Sequence, residues 1–457
     1  QIFKKSMANN NYRNIKTPAN RVKYRRECNL VTSLKRQSIR NYFTDKAKSG
    51  GNAKDFWNLV KPFLTDKNAN NGANIVIREG ERILSDNEEI CSVFNTFYTE
   101  IAMDIGFNDD IPVDENGDVS ISDVLSKHSD HASVRNIVNM CKSSTIFNFK
   151  HVSENCVHKI ISNLNAKKAT GFDDISAKIL KISAKQITPV LTDIINQCID
   201  DCVFPSLLKL AEVSSIFKKK DKLQKENYRP ISILTIISKV FEKVYAKQIA
   251  AFFENIFNPN LSAYRENYGC HDLLLKLIND WKLSLDENMY AGALLIDLSK
   301  AFDCLPHNLI ICKLNAYGFS HSASKLVASY LSQRKQRVKI ENSRSEWLDL
   351  RKGVPQGSIM GPILFNVFIN DLFYVTKYCT LLNYADDNTL FNKNYNVDVL
   401  IDGLRLDATC AIEWFESNGM QANPNKFQAI ISHRSNNVEK SINISNLTIE
   451  PERTVKL

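Results

Sequence analysis

Residues 380–391 read TLLNYADDNTLF: apolar strand residues run into Tyr384-Ala385-Asp386-Asp387 and out again, the pattern of a strand, a tight turn and a second strand. Two adjacent acids between apolar strand residues are costly near a core, because like charges repel and each carboxylate must be desolvated. A divalent cation compensates them, since hard oxygen ligands suit Mg²⁺, which takes one or two carboxylates and completes its shell with water and phosphates. An exposed Asp-Asp turn is the competing reading. Neighbours on a strand point to opposite faces, so Asp386 and Asp387 can share a metal only if the turn breaks the alternation. Of the two, Asp386 is the stronger candidate for direct ligation.

A third carboxylate strengthens the metal reading. The β-type run Tyr290–Asp297 (YAGALLID) ends in Asp297, so a buried strand and a hairpin together could place three acids around one point. That arrangement suits two-metal phosphoryl transfer, in which one ion activates an attacking hydroxyl and the other holds the leaving phosphates. Five residues on, Phe302 could wall off a sugar substituent or simply fill the core. The loop Gly353–Ser358 (GVPQGS) leads into an apolar helix with Pro362 near its start. Gln356 on that loop could hydrogen-bond a base or sugar, an ordinary turn being the alternative.

Around these features helices and short strands interleave irregularly, with helical segments at 322–331 and 362–373. That texture argues against a doubly wound sheet and for an α+β fold with a small antiparallel sheet. Helical periodicity runs from Val152 through Val157, Ile160, Ile161 and Leu164 to Leu191, Ile194 and Ile195. The main domain therefore begins near residue 145. Before it, an amphipathic helix is expected at 87–103, a turn or linker at 68–73 (NANNGA) and a mobile acidic linker at 108–118.

The chain has 457 residues, enough for a large enzyme, and its 44% hydrophobic content excludes collagen-like and wholly disordered classes. Its net charge of +9 is unevenly spread: residues 1–50 hold 13 Lys and Arg against two acids, while residues 79–130 hold 14 acids against two bases. The head, helical over 12–48, could grip a nucleic-acid backbone or be a solvated face. Eleven cysteines with no CxxC pair suggest reduced thiols in an intracellular compartment; Cys198 and Cys202, four apart, read as core thiols. No apolar run reaches bilayer-spanning length, so no membrane partner is expected. The first residue is Gln, which suggests a fragment or a processed piece.

Taken in order, five motifs are recognisable together: NYRPIS (227–232), LIDLSKAFD (295–303), GVPQGS (353–358), YADD (384–387) and NPNKF (423–427). Their order and spacing resemble the reverse transcriptase of non-LTR, LINE-type retrotransposons, especially jockey-like elements. The resemblance covers about residues 150–435 and extends weakly to Asp55-Phe56-Trp57 and Phe94-Asn95-Thr96-Phe97-Tyr98. Lys219-Lys220 stands where the family usually shows a Gly before Asp, and residues 263–270 follow its fingers pattern only loosely.

The resemblance implies an α+β right-hand polymerase. With the composition, which marks 1–50 as a basic helical segment and 51–145 as an N-terminal extension with an acidic linker, it makes 146–280 fingers, 281–435 a palm and 436–457 a truncated start of the thumb connection. Asp297, Asp386 and Asp387 would be the catalytic acids and, with the backbone of Leu298, the ligands of Mg²⁺ or Mn²⁺. Lys218 and Arg229 would grip the incoming triphosphate, and Phe302 would exclude a ribose 2′-hydroxyl. Gln356 and Gly357 would lie under the template and nascent pair, and Lys426 would protonate departing pyrophosphate. The implied partners are an element RNA template, a DNA primer or target and dNTPs, in the nucleus and in a cytoplasmic ribonucleoprotein. An endonuclease is expected elsewhere in the full polyprotein. The alternatives are an inactive or domesticated copy that binds RNA, and an RNA-dependent RNA polymerase, against which Phe302 argues.

Overall fold

The computed structural model describes residues 1–48 and 75–434 except 102, 104, 106–109, 116–117 and 142–144, and then 438, 440–444, 447–452 and 454–455. The NANNGA turn and Asp55-Phe56-Trp57 lie outside the described residues. Contacts divide the chain into two units, Gln1–Asn74 and Ile75–Leu457. In the first, the expected basic helix is two: Ile2–Asn14, and Pro18–Lys48, which opens on Pro18, where a missing N–H costs nothing. Arg21, Lys23, Arg25, Arg26, Lys35, Arg36 and Arg40 are all exposed on the second.

The second unit is α+β. Its strands are β1 (Ile77–Glu79), β2 (Arg82–Leu84), β3 (Leu210–Phe217), β4 (Tyr228–Leu234), β5 (Tyr290–Ser299), β6 (Arg334–Ile340), β7 (Ser343–Arg344), β8 (Leu348–Leu350), β9 (Thr380–Tyr384), β10 (Asp387–Asn394), β11 (Gln421–Ala422), β12 (Gln428–Ser432), β13 (Ile442–Ile444) and β14 (Leu447–Ile449). The central sheet runs β11-β5-β10-β9, with β12 also on β5, and every pairing is antiparallel. A second sheet runs β4-β3-β6-β7, with β8 on β6; here β3 and β6 are parallel.

Alternation along β5 decides which face each residue takes. Leu294, Ile296 and Leu298 enter the main core with the helices Met360–Ile369 and Val397–Ser417, while Leu295 and Asp297 face a cavity. The expected helix at 362–373 is an α-helix to Ile369 followed by a 3₁₀ turn, Asn370–Tyr374.

The helix expected at 87–103 spans Asn87–Glu100, capped by Asp86, whose carboxylate accepts from the Glu88 and Glu89 N–H groups at 3.1 and 3.0 Å. Its Phe94 and Tyr98 pack with Val213, Tyr228 and Val338 of the second sheet. The acidic stretch read as a mobile linker is anchored where it is described: Ile111 is buried, Asp110 O accepts from Asn308 Nδ2 at 2.8 Å, and Val113 bridges Val119. No described helix is long and apolar enough to cross a membrane.

Candidate active site

The YADD hairpin has a two-residue turn, Ala385-Asp386, between β9 and β10, and Ala385 adopts a left-handed φ of +57°. An alanine there is strained, so the surroundings must hold the turn. They do so through two buried asparagines facing each other across the ladder. Asn383 Nδ2 donates to Ala385 O at 2.8 Å and to Asn388 Oδ1 at 2.9 Å, while Asn388 Nδ2 donates to Asp386 O at 3.2 Å. Sequence reasoning missed both; the signal was a pair of polar residues placed symmetrically in otherwise apolar strands.

Asp387 stands directly opposite Asp297 in the β10–β5 register, which puts both carboxylates on one sheet face. Both line a cavity of about 560 Å³ floored by Leu273, Leu277 and Leu295. Asp386, in the turn, lines a neighbouring cavity of about 470 Å³ instead. Among the described residues, no three Asp, Glu, His or Cys side chains converge as a ready ligand set.

β5 also runs two residues past the expected end at Asp297, because β11 pairs with Leu298 and Ser299 while β12 pairs with 291–295 on the same edge. The NPNKF segment fills the gap: Asn423 N–H donates to Asp297 O at 2.9 Å, and a 3₁₀ turn over Pro424–Lys426 brings Lys426 Nζ to 2.6 Å from Asp297 Oδ1. Lys426 lines both cavities.

Burial raises the Asp387 carboxyl's pKa above its ordinary value, Asp386 and Asp297 raise it further, and Lys426 and Lys218 oppose. Asp387 is thus an oxygen donor, of the kind a hard divalent cation takes, whose charge burial and its acidic neighbours leave under-compensated, while Asp297 is already paired with Lys426.

The smaller cavity gathers most of the other expected residues: Lys218, Arg229, Leu298, Phe302 and Gln356 line it together with Asp386 and Lys426. Lys218 lies just past the end of β3 rather than on it; burial lowers its pKa, as do Arg229, Lys426 and Lys219, with Asp297 opposing. Phe302 is held between two rings, stacked on Phe365 (4.5 Å between centroids, 20°) and edge-on to Tyr264 (5.9 Å, 89°). Leu298 sits in the β5–β11 ladder opposite Ala422.

Gly357 lines neither cavity. Its φ of +125° and its seat on β4, where a Cβ would lie 2.6 Å from Ser232 O, make it a hinge for Gln356, whose carbonyl accepts from Ser232 N–H at 2.8 Å. Asp303 and Lys300, quoted within LIDLSKAFD but given no role, also line the smaller cavity.

The profile of the family described as reverse transcriptase (RNA-dependent DNA polymerase) matches residues 217–449, just over half of the chain. The chain belongs to this family. It is 29% identical over 276 residues to the probable RNA-directed DNA polymerase from transposon BS of Drosophila melanogaster, covering 58% of this chain and 30% of that protein. It is 25% identical over 280 residues to the RNA-directed DNA polymerase from mobile element jockey of the same species (59% and 30%), and 27% over 272 residues to that from the jockey element of Drosophila funebris (56% and 30%). The matched part spans about 30% of the length of each of these relatives. The likeness to LINE-type, jockey-like reverse transcriptases carried by the five motifs is thereby borne out. In this reverse transcriptase chain the profile takes in all five motifs, the whole central sheet and the second sheet except β3, of which only Phe217 falls within the match.

Proposed function

We propose that this chain provides the RNA-directed DNA polymerase activity of a non-LTR retrotransposon, extending a primer 3′-hydroxyl with dNTPs on an RNA template. The observation that carries the reading is the register pairing of Asp387 with Asp297 beside a basic cavity walled by Phe302. On this reading the central sheet is the palm (281–435), the second sheet belongs to the fingers (146–280), and 436–457 begins the thumb connection. The basic segment 1–50 is an accessory grip on nucleic acid, and 51–145 is an N-terminal extension.

Asp297, Asp386, Asp387 and the backbone of Leu298 would hold Mg²⁺ or Mn²⁺, which supplies charge neutralisation of the phosphates and activation of the attacking hydroxyl. Lys218 and Arg229, which line the smaller cavity with Asp386, neutralise the triphosphate. The Phe302 ring occupies the space a 2′-hydroxyl would need. Gln356, carried by Gly357, lies under the templated pair, and Lys426 Nζ holds the proton that pyrophosphate takes on leaving. The element RNA and a nicked DNA end are the partners, an endonuclease elsewhere in the polyprotein makes the nick, and the work is done in the nucleus and in a cytoplasmic ribonucleoprotein.

The test is primer extension on an RNA template with a DNA primer, dNTPs and Mg²⁺. Asp297→Ala and Asp386→Ala should abolish incorporation while retaining template binding in a gel shift. Unchanged incorporation by Asp386→Ala overturns the assignment. RNA binding without incorporation by the unsubstituted chain points instead to a copy that only binds RNA.

A further inference from the structure

The wall of the smaller cavity holds a carboxylate that the polymerase reading leaves without a task. Asp303 follows Phe302 on the turn after β5, and both of its oxygens accept from Gln356 Nε2, at 2.8 and 2.9 Å. In a cavity otherwise suited to phosphates, a carboxylate is an electrostatic cost unless it does something else.

The geometry restricts what that is. An ionised carboxylate only accepts hydrogen bonds, whereas a Gln amide offers an acceptor on one side and a donor of nearly the same shape on the other. Contact with Asp303 therefore forces Nε2 towards the carboxylate and turns Oε1 away from it. The main chain fixes both partners. Val354 N–H donates to Phe302 O and Gly353 N–H to Leu305 O, both at 2.9 Å, and Ser232 N–H holds the Gln356 carbonyl. Gly353, at φ +74°, seats so closely on Asp303 that a Cβ would lie 2.5 Å from its carbonyl oxygen. With the backbone pinned on three sides, the amide flip is the freedom left to the Gln356 head group.

We propose that Asp303 is a positioning residue that locks the Gln356 amide so that Oε1 is offered to the bound nucleotide, selecting a hydroxyl or amino donor there. The proposal rests on the polymerase reading of the site. Burial pushes the Asp303 carboxyl up to about 6, with Gln356 and Lys300 opposing. Tyr98, from the helix Asn87–Glu100, and Cys304 on its own turn are the other titratable groups that sense its charge. Once protonated, Asp303 can donate to Oε1, and the amide is free to turn over.

The experiment is a double-substitution cycle on single-nucleotide incorporation. Asp303→Ala should raise KM for dNTP about tenfold, with kcat changed much less, the size expected from one misoriented hydrogen bond. Adding Asp303→Ala to Gln356→Ala should cost nothing further, because the residue acts through the amide. Asp303→Asn, which folds isosterically, should give an intermediate KM that no longer rises between about pH 7.5 and about pH 5.5, as the unsubstituted chain's does. The same coupling should appear in thermal shifts with dNTP and Mg²⁺, which need no turnover. Additive penalties, or an unchanged pH profile in Asp303→Asn, overturn the proposal. Failure of the unsubstituted chain to incorporate any nucleotide overturns the polymerase reading instead, and the thermal-shift cycle still decides the Asp303–Gln356 coupling.

Discussion

Replacing Phe302 by Ala separates a sugar gate from a core aromatic, because the two roles leave different signatures. The ring is stacked on Phe365 and edge-on to Tyr264. Each aromatic pair is worth about 0.5–1.5 kcal/mol beyond its buried area, so in either role the substitution should cost about 1–3 kcal/mol of stability from the two ring contacts, on top of the burial lost. Only a gate also changes substrate choice. Steric rejection of one extra hydroxyl in such a pocket is worth about 1–3 kcal/mol, or about 10–200-fold in kcat/KM. Competing dCTP and CTP for incorporation opposite one template G cancels the stability loss, since both substrates meet the same enzyme. The ratio should fall by a factor in that range, chiefly through a gain in CTP incorporation. A ratio within about twofold of the unsubstituted chain, with protein still folded by circular dichroism, would refute the gate and leave Phe302 as a packing residue.

Two stability predictions concern the frame. Gly357→Ala puts a Cβ 2.6 Å from Ser232 O at φ +125°, whereas Gly80→Ala, also at positive φ (+60°), meets nothing within 4 Å. In urea unfolding the first should cost about 1–3 kcal/mol and raise KM for dNTP through Gln356, and the second should cost about 1 kcal/mol without touching activity. Equal costs would mean that φ alone matters at Gly357 and that its seat on β4 does not. Asp371 is fully buried, with Lys313 Nζ at 2.6 Å and Trp414 Nε1 at 2.7 Å. Asp371→Ala strands a buried ammonium and should cost about 3–5 kcal/mol, while adding Lys313→Met should recover most of it. Burial already depresses the Lys313 pKa. Asp371 opposes that depression, so its removal lowers the folded value further, and the Asp371→Ala penalty should shrink as pH rises from the variant's folded value to the unsubstituted chain's. A penalty independent of pH, or no recovery in the double variant, would remove the ion-pair account.

The fold was legible wherever period and chemistry agreed. Tyr290–Ser299 and the YADD hairpin announce themselves because buried strand residues are bounded by charge, and the alternation that hides Leu294 and Ile296 brings Asp297 out on the cavity side. The second sheet was much less visible. β3 ends at a lysine run and pairs in parallel with a strand over 120 residues later, and no local pattern records a partner that distant. In the acidic stretch composition averages over residues and hides the one that packs: Ile111 is buried, as is Val119 just beyond it.

The site divides in the same way. Motif residues proposed to meet substrate are chemically conspicuous, which is why spacing and resemblance single out Asp297, Asp387, Phe302 and Lys426 as candidates. Residues that hold them are not, because bracing is done by pairwise geometry. Asn383 and Asn388 look ordinary until the register sets them face to face across the turn. Asp303 looks like one more acid until both its oxygens are found on one amide nitrogen. Their physical job is to remove a freedom, the left-handed turn in one case and the amide flip in the other. A freedom removed leaves no trace in composition or spacing. For a site of this kind, hydrogen-bond donors with fixed polarity are therefore the place to look for what the motifs leave unsaid.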